Sequence, residues 1–574
     1  MDDASWEEFM PKGVTKETFN KFAKYYDEDI FISAGRAIRN KAKSADGLPP
    51  TERVKKIAEI FATFKNPDKE TVLTPWRVVN MHLGDCLGGY DFFNEDHSEV
   101  LEEPRYVDKG KVTTDTLANA NAQILEINSK TGLYPLYVTY SVYRKRLEQI
   151  NPDLLTFEKQ LEIWDLTVKE NLYVICKTPM ARAITRRTLL GYRKGKLNAH
   201  AFDDLLMQLK EKPEQFREKI LRGSFWNKEV KEMKFDAIVG NPPYQIMNKG
   251  NGNGSDPIYH LFIDVARSIS ERGSFIHPAR FLFNAGKTPK EWNAKMLNDE
   301  HYKVINYWAN SMDVFSSVDV KGGIAITYWD KNDNFGKIGF FSPYSELRSI
   351  VAKVCTDDFK TFADLVYPRD LYRLTEKLYK ENPWAIERPS KDHKYDVGSN
   401  VFDTFPELFF DENPDDGAEY AQIFGRTRNE RNLKWIKKKY LKVPDNFDYY
   451  KVFVPKANGS GAIGEVLSTP VVGQPVVGHT VTFLSIGKFT TQEEAEAVLK
   501  YIMSKFARTM LGTLKVTQDN PRETWLNVPL QDFTEDSDID WSKSIPEIDQ
   551  QLYAKYNLTE EEISFIESMI KPME

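Results

Sequence analysis

From about residue 71 to 345, short apolar segments alternate with segments that have the spacing of amphipathic helices. Such alternation predicts a parallel sheet with helices on both faces. In sheets of this kind, ligands bind outside the carboxyl ends of the strands. The sequence therefore predicts an α/β fold with a ligand site at one edge of the sheet. The predicted strands are residues 124–127, 172–175, 237–239, 273–276 and 323–329, with helices at 180–190 and 259–269.

Different patterns flank this region. Residues 1 to about 70 have the spacing of helices, and residues beyond 345 form short apolar segments between Gly- and Pro-rich turns. The later segments predict strands at 451–455, 473–477 and 481–486 and helices at 492–511 and 559–573. We therefore expect an N-terminal helical region at 1–73, an α/β domain at 74–345, an α+β domain at 346–540 and a C-terminal helical segment at 541–574.

Length and composition limit the class of protein. The chain has 574 residues, enough for about two to four domains. No apolar stretch approaches the roughly 20 residues of a membrane helix, and the acidic residues 1–6 do not resemble a signal peptide. Cys86, Cys176 and Cys355 lie far apart, so neither a disulfide scaffold nor a zinc cluster is indicated. We expect a cytoplasmic protein without membrane partners and without a metal site.

The segment 235–244 carries the clearest chemical signal. Its apolar strand runs into the loop Asn241, Pro242, Pro243 and Tyr244. Proline has a fixed φ and also keeps the residue before it extended, so the carbonyl of Pro242 is held in one direction. The loop thus offers one amide, one fixed carbonyl and one flat ring, and it contains no nucleophile.

Such a loop suits an adenine that has been turned out of a nucleic-acid stack. The side-chain oxygen of Asn241 and the carbonyl of Pro242 can accept both hydrogens of the exocyclic amine, and Tyr244 can stack on the base for about 1–3 kcal/mol. Catalysis would then rest on positioning and electrostatics. The simpler alternative is a turn that ends a strand, because Asn-Pro and Pro-Pro are common loop dipeptides.

Residues 241–244 and the strand before them resemble the catalytic loop of amino-directed DNA methyltransferases. The order of the other motifs is similar to that of the gamma class of adenine-N6 enzymes from restriction–modification systems. The resemblance implies a Rossmann-like sheet, S-adenosylmethionine as methyl donor and adenine N6 in double-stranded DNA as acceptor. It also implies that residues 346–540 form a target-recognition domain. A restriction endonuclease or a motor subunit is a further partner that the family often has, and the sequence leaves it open.

The resemblance places the methyl donor near two segments of the first half. Thr74 and Pro75 match a Thr-Pro that helps to hold the donor, and they also suit a helix start whose free amides can bind a carboxylate. In the second segment, Glu126 or Asn128 would bind the donor's ammonium group and Gly132 would let the backbone approach. The usual Pro and inner Gly of that segment are missing, and Lys130 is unexpected.

Three further positions follow from the same resemblance. The family has an acid for the ribose hydroxyls after the second strand, where this chain has Cys176 and Lys177, so Glu170 or a remote carboxylate would have to replace it. After the third strand, Asp203 or Asp204 would accept from the donor's adenine amine, with a helix cap as the alternative. Phe315 is expected to contact the edge of the target adenine, and the Gly/Asn-rich tract 250–255 to become ordered over DNA.

Basic and amide side chains in the second half predict contacts to DNA. The net charge is −7, but affinity for DNA depends on the charges near the phosphates, and residues 434–442 form a local basic patch that we expect to be helical. The alternative for this patch is a solvated helix face. Before it lies a cluster of Arg and Asn, and arginine reads guanine and asparagine reads adenine through paired hydrogen bonds. The alternative for this cluster is a set of plain surface residues. The candidates are Arg426, Arg428, Asn429, Arg431, Lys437 and Lys438.

The sequence thus predicts a site-specific DNA adenine-N6 methyltransferase of a restriction–modification system. Two alternatives stay open. The missing Gly-rich turn suggests a non-catalytic DNA-recognition subunit on a degenerate methylase scaffold. A methyltransferase that acts on RNA or on protein glutamine can use the same Asn-Pro-Pro-Tyr loop.

Overall fold

The computed structural model describes residues 1–573 except 12, 67–71, 203, 248–254, 316–319, 357, 391–392, 429, 459–462, 466 and 516–517. Asp203, Asn429 and residues 250–254 of the Gly/Asn-rich tract are therefore outside the described residues. The chain divides into two compact units, Met1–Gly339 and Phe340–Glu574. The finer division into four regions stays a prediction. Within the described ranges, no helix has both the length and the apolar character needed to cross a bilayer.

The first unit contains the predicted N-terminal helices together with the α/β region. Its helices are α1 Asp3–Phe9, α2 Lys16–Phe22, α3 Glu28–Ala45, α4 Pro50–Ala62, α5 Trp76–Cys86, α6 Lys111–Asp115, α7 Leu133–Leu147, α8 Phe157–Asn171, α9 Pro179–Leu190, α10 Leu205–Glu211, α11 Pro213–Leu221, α12 Tyr259–Ile269 and α13 Lys290–Leu297. Its strands are β1 Gly89–Phe93, β2 Val100–Val107, β3 Ile124–Ile127, β4 Leu172–Cys176, β5 Asn198–Ala201, β6 Ala237–Gly240, β7 Gln245–Met247, β8 Ser255–Pro257, β9 Arg272–Pro278, β10 Tyr302–Trp308 and β11 Ile324–Asp330.

A seven-stranded sheet, in the order β10-β11-β9-β6-β3-β4-β5, organises this unit. Strands β9, β6, β3, β4 and β5 run parallel, whereas β11 pairs antiparallel with β9 and β10 pairs antiparallel with β11. The inner strands β3, β4 and β6 are buried along their whole length, which explains their mostly apolar sequences. The predicted α/β class is confirmed. The assignment of residues 323–329 to a parallel strand is wrong, because β11 returns beside β9 in the opposite direction.

The second unit combines small sheets with helices. Its helices are α14 Ser345–Val354, α15 Glu376–Glu381, α16 Val401–Thr404, α17 Gln492–Met503, α18 Lys505–Gly512, α19 Ile545–Lys555 and α20 Glu560–Met569. Its strands are β12 Arg373–Leu374, β13 Tyr420–Thr427, β14 Glu430–Lys437, β15 Leu441–Lys442, β16 Tyr450–Pro455, β17 Val471–Gly473, β18 Val477–His479 and β19 Phe483–Phe489. They pair as β14-β13-β18, β17-β16-β19 and β12-β15.

Three local predictions for this unit have clear outcomes. The predicted strand 473–477 is wrong, because those residues connect the end of β17 to the start of β18. The predicted single helix 492–511 is two helices, because the extended Ser504 ends α17 and its hydroxyl accepts from the Ala507 amide to cap α18. The cap at Thr559 is confirmed, since its side chain and that of Glu562 form a reciprocal capping box on α20.

Candidate functional site

The loop after β6 holds Asn241 by two contacts. Its side-chain Nδ2 donates to the hydroxyl of Thr74 at 3.0 Å, and its backbone carbonyl accepts from Nδ2 of Asn128 at 3.2 Å. The side chain is buried, and its Oδ1 has no hydrogen-bond partner among the described residues. Because a buried acceptor without a donor is costly, Asn241 offers an oxygen that a ligand N–H would satisfy.

Close packing of β3 against β6 brings the two predicted motifs together. The strands are parallel, with Glu126 opposite Val239, so their carboxyl ends meet at one edge of the sheet. A Cβ added at Gly240 would lie 3.1 Å from the carbonyl oxygen of Ile127. The absence of a side chain at residue 240 therefore allows the loop at Asn241 to lie beside the turn after β3.

Glu126 lies in this edge as a buried carboxyl group. Burial raises its pKa to about 8, although the Ser129 hydroxyl and the charge of Lys130 act in the opposite direction. Its Oε2 has no partner in the part of the chain that is described. A cation or a hydrogen-bond donor at this position would favour the charged form. The ammonium of Lys130 itself donates to the carbonyl of Val72 at 3.3 Å.

The turn between β3 and α7 uses left-handed backbone at two positions. Asn128 has φ 74° and Gly132 has φ 76°. A Cβ at Gly132 would lie 2.9 Å from the Cα of Thr185 on α9, so only glycine fits there. Oδ1 of Asn128 is buried and is also unpartnered within the described ranges. We call Thr74, Glu126, Asn128, Gly132 and Asn241 the strand-end site.

The other residues of the loop at Asn241 are largely buried. Pro242 is buried and Pro243 is half-buried. The ring of Tyr244 is only 8% exposed and belongs to the main apolar cluster, which also contains Phe315. Burial raises the pKa of Tyr244 well above its usual range. The backbone amide of Phe315 donates to the carbonyl of Ser311 at 2.8 Å.

Helix α5 starts just after Thr74, with Pro75 at its N-cap position. Towards the other end of this helix, His82 and Cys86 are buried. His82 contacts the Tyr134 hydroxyl and the Ser274 hydroxyl, each at 2.7 Å. Burial, followed by the charge of His277, lowers the pKa of His82 to about 3. These contacts explain a polar group in the core without any ligand.

The two described carboxylates considered for the donor lie at opposite ends of their strands. Glu170 precedes β4 at its amino end, where it pairs with Lys169 and Lys228. The suggestion that it serves the ribose is therefore wrong. Asp204 follows β5 at its carboxyl end, is exposed and accepts from Nε2 of Gln208 at 2.8 Å. It is the N-cap residue of α10, although its side chain makes no cap bond within the described residues, and its contact to the donor stays a prediction.

An acid that the sequence analysis missed lies at the carboxyl end of β4. The hydroxyl of Thr178 donates to Oε2 of Glu8, which arrives on the N-terminal helix α1. Glu8 is 2% exposed, and its Oε1 has no partner in the described ranges. No local pattern marks this residue, because 170 positions separate it from Thr178.

Four of the predicted DNA-binding residues, Arg426, Arg428, Arg431 and Lys437, lie on the hairpin formed by β13 and β14, here called the basic hairpin. Arg428 is exposed at its turn with φ 48°. Arg426 faces Arg431 across the strands, and Arg431 donates to the carbonyl of Thr469 at 2.6 Å. Lys437 binds Asp416 at 2.9 Å.

The basic patch 434–442 is not helical, contrary to the sequence analysis. Residues up to Lys437 belong to β14, and a single 3-10 turn, which includes Lys438, leads to β15. The Lys438 ammonium lies 5.9 Å from the centre of the Phe447 ring. Cross-strand pairing with β13, whose residues are alternately buried, overrides the helical preference of lysine.

Comparison with known proteins supports the methylase resemblance. Residues 170–315 match the family model of the Eco57I restriction-modification methylase. An uncharacterized adenine-specific methylase of Mycoplasma pneumoniae is 34% identical over 103 residues, which are 17% of this chain and 24% of that protein. The predicted resemblance to adenine-specific methylases of restriction–modification systems is confirmed. The matched segment contains the loop at residues 241–244 and ends at Phe315.

Solved structures give more distant likenesses. A nuclease-deletion mutant of the Type ISP restriction-modification enzyme LlaGI, in complex with a DNA substrate mimic, is similar over 82% of this chain and 47% of that chain, with 11% identity and a TM-score of 0.39. The Type IIL restriction-modification enzyme MmeI in complex with DNA is similar over 78% of this chain and 73% of that chain, with 8% identity and a TM-score of 0.35. The chain thus spans a quarter of the curated relative and less than half of the LlaGI chain.

Proposed function

We propose that this protein is a site-specific DNA methyltransferase that transfers a methyl group from S-adenosylmethionine to N6 of a flipped adenine, as part of a restriction–modification system. The observation that carries the proposal is the buried, unpartnered Oδ1 of Asn241 at the carboxyl end of β6, which no other described residue satisfies. The match of residues 170–315 to a methylase family supports it.

The residues of the strand-end site fit the chemistry of S-adenosylmethionine. The donor carries an ammonium group, for which the unpartnered Oε2 of Glu126 is a suitable acceptor. It also carries a carboxylate, which the free amides at the start of α5 can bind beside Thr74 and Pro75. Gly132 supports the site by letting the turn after β3 pack against Thr185 of α9. When bound, the donor supplies an electrophilic methyl group on sulfur.

The chain's own residues would act on the adenine amine. Oδ1 of Asn241 accepts one N–H and the carbonyl of Pro242 accepts the other, which favours a pyramidal nitrogen with an available lone pair. The hydroxyl of Thr74 fixes the amide so that its oxygen faces the base. Asn241 and Pro242 would hold the amine so that its nitrogen can accept the methyl group that the bound donor would supply. Tyr244 stacks on the base once its ring becomes accessible.

Double-stranded DNA is the proposed partner, with sequence read by the basic hairpin. Arg428 at the turn is exposed and suits a base edge, while Lys437 suits phosphate. A separate restriction endonuclease or motor subunit would supply cleavage. Asp204 remains our candidate for the donor's adenine amine, and Phe315 for the edge of the target base.

The proposal is tested by incubating purified protein with plasmid DNA and donor labelled in its methyl group. Wild type should label DNA at adenine N6, and Asn241→Ala should lose at least about 100-fold in rate, as when one preorganised polar contact is removed from an active site. Asn121→Ala is the control, because Asn121 is exposed and lies away from the strand-end site. Equal labelling by wild type and Asn241→Ala would contradict the assigned role.

The two rival functions predict different experimental results. A non-catalytic recognition subunit would bind DNA without binding donor in calorimetry. An enzyme for RNA or protein glutamine would label those substrates and leave DNA unlabelled. Sequencing of modified bases in cells that express the chain identifies the base and its recognition site together.

A further inference from the structure

Two neighbouring strands of the central sheet end beside buried acids that lack partners for one oxygen each. Glu126 lies at the end of β3, and Glu8 is brought to the end of β4 by helix α1. Burial raises the pKa of the Cys176 thiol, and the carboxylates of Glu126 and Glu8 raise it further, so both acids lie close to this last residue of β4. The edge thus offers two separate acceptors.

Helix α1 is attached to this edge by specific contacts. The amide of Met180 donates to the Ser5 hydroxyl at 3.2 Å, and Phe9 packs on the apolar cluster of Val174, Cys176 and Ala181. The Thr178 hydroxyl accepts from the Ala181 amide at 3.2 Å as the cap of α9 and donates to Oε2 of Glu8. One carboxylate oxygen of Glu8 is therefore fixed by the fold.

The other oxygen of Glu8 is left without a donor in the described structure. A residue that only capped Thr178 would need a single acceptor, and a neutral side chain would avoid the cost of burying a charge. A carboxylate that is 98% buried with one unused oxygen suits a ligand that brings a hydroxyl donor. The residues that follow β4 in sequence, Cys176 and Lys177, provide no acid for that purpose.

We propose that Glu8 binds the ribose hydroxyls of the methyl donor, so that the N-terminal helix α1 completes the cofactor pocket. This inference rests on the proposed function. Helix α1 would then take part in binding the nucleoside. Glu8 would supply the carboxylate that the resembled family has after its second strand and that this chain lacks at Cys176 and Lys177. Glu8 would act on affinity for the nucleoside and not on the methyl-transfer step.

Calorimetry with S-adenosylhomocysteine and its 2′,3′-dideoxyribose analogue tests the assignment without any turnover. Wild type should bind the ribose compound roughly 10- to 100-fold more tightly than the dideoxy analogue, since hydrogen bonds to a charged acceptor are at stake. Glu8→Gln should reduce this ratio to within about threefold of unity. Glu7→Gln is the matched control, because Glu7 is the exposed neighbour on the same helix.

The outcomes separate this inference from the proposed function. If wild type binds neither compound, the proposed function fails and the inference fails with it. If wild type binds both equally, or if Glu8→Gln keeps the wild-type ratio, only the inference is overturned and Glu8 is a structural cap. Should Glu8→Gln not fold, Glu8→Asp replaces it, because it keeps the charge and withdraws it by one methylene. An unchanged ratio in Glu8→Asp would overturn the inference, and a reduced ratio would support it.

Discussion

The polar side chains of the strand-end site and those of the basic hairpin differ in burial and in whether they have partners within the protein. Asn241 and Glu126 are buried, and each keeps one oxygen that no described residue satisfies. On the hairpin, Lys434 and Lys437 reach solvent and are already paired with Asp411 and Asp416. The first region holds unmet hydrogen-bonding capacity, whereas these cations of the second are engaged within the fold.

This difference indicates how each region can gain affinity. A ligand at the strand-end site satisfies groups whose burial is costly, so contacts there are expected to be strong and insensitive to salt. A polyanion at the hairpin must replace surface ion pairs that contribute about 0–1 kcal/mol each, so contacts there are weak singly and depend on salt.

The largest expected effect that sharpens this comparison is the pH dependence of folding stability caused by Glu126. The pKa of this carboxyl is near 4.5 in the unfolded chain and about 8 when folded. Because the folded state holds the proton more tightly, protonation of Glu126 contributes to the stability of the fold. This contribution is fully present below pH 4.5 and is lost as the pH rises through about 8. Glu126→Gln should remove that loss, so the variant should gain up to a few kcal/mol over wild type by pH 8–9.

Chemical denaturation of both proteins between pH 5 and 9 provides the measurement. The difference between the two curves isolates Glu126, because the other titrating groups are common to both. Saturating S-adenosylmethionine should flatten the wild-type curve, since its ammonium group stabilises the carboxylate. A difference that is constant with pH would show that Glu126 does not titrate in this range.

The second effect compares glycines with left-handed backbone in the two units. Gly132→Ala should cost about 2–4 kcal/mol, because it combines a strained φ with a Cβ 2.9 Å from the Thr185 Cα. Gly417→Ala, at φ 79° with open space around it, should cost only about 1–2 kcal/mol. Urea denaturation measures both. Equal losses would mean that α9 moves away freely and that the strand-end site is not rigidly packed.

Sequence reasoning succeeded where a single local pattern decides the structure. The strands β3, β4 and β6 are short, mostly apolar runs, and the loop at Asn241 follows its strand directly, so the strand end and the motif were found together. Helix α12 was predicted at its observed bounds because its apolar stripe is complete.

Sequence reasoning failed where contacts between residues far apart in the chain determine the structure. Strand β10 lies at the sheet edge with most residues half-buried, so it has no strong apolar pattern. The strand β14 is rich in lysine and is fixed by its pairing with β13. Glu8 meets Thr178 across a separation of 170 residues in the chain. Long-range pairing, rather than local preference, sets these features.

The third effect concerns the contact that orients the amide of Asn241. Thr74→Val keeps the shape of the side chain but removes the oxygen that accepts from Nδ2 of Asn241. The amide then loses its preferred orientation, and we expect kcat to fall about tenfold, corresponding to roughly 1.4 kcal/mol. Steady-state kinetics should show the loss in kcat with little change in the KM for DNA. Thr114→Val serves as the control, because Thr114 is an exposed helical threonine. A loss confined to the KM for DNA would place Thr74 outside the chemical step.

The smallest effect tests whether ion pairs within the protein weaken the binding of DNA by the lysines of the basic hairpin. Asp416→Asn keeps an oxygen that can accept from the Ala418 amide but removes the negative charge beside Lys437. We expect DNA to bind up to about fivefold more tightly at low salt, because the gain is bounded by the worth of one surface ion pair. The slope of log affinity against log salt should steepen by about one charge, since Lys437 then contacts phosphate fully. Asp364→Asn is the matched control, because it frees Arg522 elsewhere in the same unit. If both variants bind DNA equally tightly, the gain reflects net charge alone and the hairpin loses its special role.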